Sequence, residues 1–139
     1  MAANTVPIFT LTPNTVTASI SAANTASDGS GSLVTLFTAG ANGSRVDSIT
    51  FQNAQIALAA SSAMVCRVFV TDTSGANPRL ISEVAQAAAT RSASVIGATT
   101  TITYGNGLLL ASGQLLKVIQ SVYAGVQDLQ HAIARGGDY

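Results

Sequence analysis

Residues 63–71 read AMVCRVFVT, and their alternation sets the fold class. Met64, Cys66, Val68 and Val70 fall on one side of an extended chain, with Val65, Arg67, Phe69 and Thr71 on the other. A period of two belongs to a strand, and the first set makes the better core face. Cys66 sits inside this apolar run and is the single cysteine. It reads as a small buried hydrophobe, and neither an intrachain disulfide nor a cysteine metal cluster can be built from it.

Outward from this run the same texture repeats. Candidate strands are TVPIFTLT (5–12), TVTASISA (15–22), SLVTLFTA (32–39), SRVDSITFQNAQIAL (44–58), RLISEVA (79–85), ASVIGATTTITY (93–104), GLLL (107–110), QLLKVIQSVYA (114–124) and DLQHAIA (128–134). Valine, isoleucine, threonine and phenylalanine suit a half-buried pleated surface. Between the runs lie SDGSG (27–31), AGANGS (39–44), TDTSGANP (71–78), YGNG (104–107) and ASG (111–113). Glycine, asparagine and aspartate there supply the backbone angles of tight connections. NGS at 42–44 has the glycosylation pattern but reads as a turn. The stretch ISEVAQAAATRSA lacks a good helix start, so a strand followed by irregular loop is expected, with one helical turn as the second choice. Pro7 marks an edge strand or arm, because proline removes a ladder donor.

Many short strands predict an all-β chain, a two-sheet antiparallel sandwich of jelly-roll type, with an immunoglobulin-like sandwich left open by pattern alone. One domain spans residues 1–139, with an N-terminal arm at 1–13 and a C-terminal docking tail at 135–139. The run at 114–124 is partly apolar on both faces: Leu116, Val118 and Val122 on one, Leu115, Lys117, Ile119 and Tyr123 on the other. Such a strand is either central and covered twice, or covered by a neighbouring subunit.

Composition narrows the function. Hydrophobic residues make up 47% but are carried by 24 Ala, with no Trp, and only 9% are charged. Six basic and six acidic residues cancel, and Arg45, Arg67, Arg79, Arg91, Lys117 and Arg135 are scattered. Nucleic-acid binding needs such charges clustered, so it is not expected. Neutrality favours association, which points to a protein living in an assembly. No run is long enough for a membrane helix, and the N-terminus lacks the pattern of a signal peptide.

Catalytic parts are scarce. His131 is the single histidine and, on the alternating face of Leu129 and Ile133, reads as packed or hydrogen-bonded rather than as a base. The six acids show no paired-carboxylate spacing, and neither a calcium loop nor a G-x-S-x-G elbow occurs. No catalytic, cofactor or metal residue is assigned, and no enzyme activity is expected. The chain closes on GGDY, where Gly136 and Gly137 allow close approach, and Asp138 and Tyr139 offer charge and an aromatic ring. These four are the candidate partner-binding residues, either docking elsewhere or tucked against their own fold, with Arg45 or Arg91 of a neighbour as basic contacts.

Four stretches, MAANTVPIFTLTP, LFTAGANGSRVDSITF, LLLASGQLLKV and the closing GGDY, together resemble a group of small tailed-bacteriophage and prophage virion proteins. The likeness covers most of the chain, with residues 52–101 freer. It implies a virion structural protein, a capsid decoration (cement) or head-fibre component, assembled in the bacterial host cytoplasm. Its implied partners are itself, as a homo-oligomer with a trimer favoured, and the major capsid protein or another virion protein. It implies no cofactor and no membrane. The alternative from another class is a carbohydrate-binding sandwich used in host adsorption.

Overall fold

The computed structural model describes residues 10–55 and 59–139. Eight strands follow one another: β1 (Thr12–Ile20), β2 (Val34–Thr38), β3 (Ser44–Asn53), β4 (Met64–Thr71), β5 (Arg79–Gln86), β6 (Thr99–Leu110), β7 (Leu115–Gln120) and β8 (Gln130–Asp138). A 3-10 turn, Val126–Asp128, precedes the last. They form two antiparallel sheets, ordered β1-β8-β3-β6 and β2-β7-β4-β5. The expected two-sheet sandwich is the fold.

The pairing has a simple logic. β1 pairs with β8, β2 with β7, β3 with β6 and β4 with β5, so the chain is one long hairpin. Rolling it up brings β8 against β3 and β7 against β4. That is jelly-roll connectivity.

The hairpin tip is built from TDTSGANP. The Asp72 carboxylate accepts hydrogen bonds from the Ser74 hydroxyl at 2.6 Å, the Asn77 amide at 2.9 Å, and the Ser74 and Ala76 N–H groups at 3.0 and 2.9 Å. Those bonds, the Ser74 and Asn77 side chains foremost, hold its carboxyl down to about 2. Gly75 and Asn77 take the positive φ that the reversal requires.

The core lies between the sheets. Phe37, Phe51, Ile49, Leu116, Val68 and Val118 fill it, and β8 adds only Ala132 and Ala134. Met64, Cys66 and Val68 point inward as the alternation predicts, with Val70 packed partly against them. Burial alone pushes the Cys66 thiol up to about 12. The native protein is therefore expected to resist a thiol reagent at mildly alkaline pH and to react once unfolded. Rapid labelling of the folded form would contradict the packing.

Three expectations change. Ten candidate runs become eight strands among the described residues: the first run contributes only its last residue, to the strand of the second, and ASVIGATTTITY and GLLL share one strand, so YGNG is a bulge, not a turn. Val46 faces Leu108 while Ser48 faces Thr103, so β6 carries extra residues there. The TVPIF portion of the first run and residues 56–58 lie outside the described residues, as does most of the arm at 1–13, whose Thr12 and Pro13 belong to β1. His131 is exposed on the outer face of its sheet rather than packed. Its neighbours Ala132 and Ala134 take the inward places on β8.

The two-sided run resolves as a central strand. β7 lies between β2 and β4 and ends at Gln120. On its outer face Ile119 is buried, as is Phe69 of β4. The β1–β2 connection crosses that face. Asn24 N–H donates to the Gln120 carbonyl at 2.8 Å, and Arg67 Nη1 donates to the Thr25 carbonyl at 3.4 Å. Gly29 lies so close over Phe69 and Pro78 that a Cβ there would overlap the proline ring. The second apolar face is covered by the chain itself, which removes the need for a neighbouring subunit at this place.

Candidate functional site

GGDY is part of the sheet. Gly136 and Gly137 lie just before the last residue of β8, a central strand, with Asn14 and Pro13 of β1 opposite on one side and Val46 and Arg45 of β3 on the other. Asp47 bulges out of β3 at this level, since Val46 faces Gly136 while Ser48 faces Arg135. The bulge drives the β3 backbone toward β8. A Cβ on Gly136 would overlap the Arg45 carbonyl oxygen and lie 2.8 Å from Val46 Cα. One on Gly137 would lie 2.7 Å from the Thr12 carbonyl oxygen and 2.8 Å from Thr10 Cβ. Both glycines are there for close approach within the molecule.

Asp138 completes a relay of hydrogen bonds. Gly40 N–H donates to Ser44 Oγ at 2.9 Å, and the Ser44 hydroxyl donates to the Asp138 carboxylate. Leu11 N–H reaches the Asp138 carbonyl at 2.8 Å, and Tyr139 N–H reaches the Gly43 carbonyl at 3.2 Å. Asn42 Nδ2 donates to the Tyr139 carbonyl at 3.3 Å. Residues 135–139 are thus fastened to both neighbours instead of standing off the sheet as a separate tail. Asp138 and Tyr139 keep half-exposed side chains at this end of the sandwich.

The other sequence landmarks meet here. Ala39 N–H donates to the Gln114 carbonyl at 2.8 Å, and Gly113 N–H donates to the Ala39 carbonyl at 3.2 Å. Gly43, at positive φ, lies so near β6 that a Cβ would be 2.7 Å from the Leu110 carbonyl oxygen. Residues 10–13, the 39–44 turn, the 110–114 turn and the GGDY ending form one knot. Within one copy Arg45 pairs with Asp47 at 2.7 Å on the surface, and Arg91 donates to the Gln55 carbonyl at 3.3 Å.

Among the described residues Cys66 and His131 lie far from each other's surroundings. Cys66 is in the core, His131 is on the outer face of β8, and no cluster of three metal-ligating residues occurs among the described residues. A shallow open groove is lined by Ala63, Met64, Val65, Ala85, Gln86, Ala87 and Ser121. Its one hydroxyl, Ser121 Oγ, accepts the Val65 N–H at 2.9 Å, a structural bond. No helix among the described residues is long and apolar enough to cross a membrane.

Sequence reading missed a second knot at the opposite end. Asp128 is fully buried, yet its carboxylate accepts the Ser62 N–H at 2.6 Å, the Ser62 hydroxyl at 3.0 Å and the Ala124 N–H at 2.7 Å. Beside it Gln120 Nε2 donates to the Asp128 carbonyl at 3.0 Å and Asn53 Nδ2 to the Gln127 carbonyl at 2.9 Å. These bonds tie the β3–β4 and β7–β8 connections together where both cross between sheets. Nothing local in VQDLQ signals this, because the partners come from distant loops. No family model, curated protein or solved structure matches the chain.

Proposed function

We propose that the chain is a structural protein of a tailed-bacteriophage virion, a capsid decoration or head-fibre component assembled in the host cytoplasm. It attaches to the major capsid protein or another virion protein through protein contacts, without cofactor, nucleic acid or membrane. The observation that carries this reading is the knot at the chain-end side of the sandwich. The four stretches bearing the resemblance are far apart in sequence, yet their described parts, residues 10–13 of the first among them, are fastened to one another there. A rigid end built from close backbone approaches presents a fixed shape, which is what attachment through many weak contacts requires. The low charge of the chain fits a surface that loses water at little cost.

The carbohydrate-binding alternative calls for exposed aromatic platforms. Tyr104, Tyr123 and Tyr139 are each half-buried, and Tyr104 shares a 3.1 Å hydrogen bond with Ser82, so no observation favours it.

Electron microscopy of purified particles carrying a labelled copy of this chain tests the proposal. The expected result is label at regular positions on the head. Particles that lack the protein after purification would end the virion reading.

A further inference from the structure

A sandwich with two open sheets has four edge strands, and exposed edges invite pairing unless they are blunted. Three of the four are. β1 carries Pro13, which has no N–H to offer a pairing strand. β2 is only five residues long, and β5 carries Arg79 and Glu83.

β6 is different. Its first five residues, Thr99, Thr100, Thr101, Ile102 and Thr103, contain no proline, glycine or charge. No charged side chain occurs anywhere from residue 92 to residue 116. β3 occupies one side of this segment. β5 of the other sheet packs beside β6, with the Ser82 and Tyr104 hydroxyls 3.1 Å apart just past the segment, yet among the described residues no hydrogen bond reaches the backbone of residues 99–103 from that side. Exposed apolar side chains flank it at both ends: Ile96 at 80% and Val95 at 51% before it, Leu109 at 66% after it.

We infer that two copies of the chain pair antiparallel through this edge about a two-fold axis centred on Thr101. The occupant follows from the sequence of the segment, where threonine stands at the centre and at both ends, so a two-fold through Thr101 sets like against like at three of the five positions. In that register Thr101 meets Thr101 of the second copy, Thr99 meets Thr103, and Thr100 meets Ile102. Threonine pairs across strands stabilise a sheet, and the two-fold makes the contact self-complementary. Two four-stranded sheets become one of eight. The outer face continues a hydroxyl array already ordered within one copy, where Thr50 and Thr101 Oγ1 lie 3.0 Å apart and Arg135 Nη1 donates to Thr50 Oγ1 at 3.3 Å. The bulge at YGNG ends the flat segment and so limits the pairing to residues 99–103. This dimer stands independently of the virion reading, since it forms in solution whatever particle holds the protein.

Thr101 is exposed on the outer face, so its substitution leaves the core intact. Sedimentation of the wild type at near-millimolar concentration should show a dimer. Thr101→Lys sets two like charges against each other across the axis and should weaken association about tenfold or more, as should Thr101→Glu. An equal mixture of the two variants should dimerise again, while Thr101→Ser should behave as the wild type. A monomeric wild type overturns the inference. So does a Thr101→Lys protein that still associates fully, as dimer or trimer, or a mixture that stays monomeric.

Discussion

Asp128→Ala is expected to cost the protein about 3 kcal/mol or more of stability. The substitution removes the acceptor for three donors in a site closed to water. The Ser62 hydroxyl can turn to another partner, but the Ser62 and Ala124 N–H groups are fixed by the backbone. Each buried donor left without a partner costs about 1–3 kcal/mol. Small domains hold only about 5–15 kcal/mol in all, so the loss is a large share. It should appear as a lower urea midpoint and a melting temperature reduced by about 10 °C. Asp128→Asn should help little, because its amide nitrogen would confront a donor wherever it turned. A midpoint change equivalent to less than about 1 kcal/mol in the alanine variant would show that the carboxylate does not join the two connections.

Asp128 also shows where sequence reading stops. Alternation is a local signal, so AMVCRVFVT declared its faces and the sandwich followed from many such runs. The jelly-roll order depends on which runs pair, and those pairings join residues as far apart as Thr12 and Asp138. YGNG carries turn chemistry, yet the long ladder between β3 and β6 keeps the strand continuous and absorbs the extra residues as a bulge. The apolar second face of β7 was visible, but its cover was not. Residues 21–32 are small or polar, and nothing in them names Phe69 as what they cross. The two glycines of GGDY do permit close approach. Their neighbour is the molecule's own β3, because β8 is a central strand, and centrality cannot be read from a chain end.

That geometry makes Gly136→Ala the second large effect. The new methyl would overlap the Arg45 carbonyl oxygen, with Val46 Cα at 2.8 Å and the Arg45 carbonyl carbon at 2.9 Å. All three are backbone atoms of a strand laddered on both sides, to β8 and to β6, so no side chain can swing away. The β3 bulge must flatten or the β8 ladder must open. Either loosens the neighbouring pairs, including Asp138 with Ser44 and Thr12. A loss of about 3 kcal/mol is expected, at the upper end of what overpacking costs, and thermal melting reads it directly. Gly105→Ala is the matched control. It sits on the same sheet with nothing within 4 Å of its added Cβ, and its stability should change by no more than about 0.5 kcal/mol. If both variants melt with the wild type, the close approach at Gly136 has no energetic weight and the ending must be retained for contacts outside the molecule. If Gly136→Ala alone melts early while its folded fraction attaches to particles as the wild type does, GGDY acts by closing the fold. The surface offered to a partner then belongs to the knot as a whole, not to its last four residues.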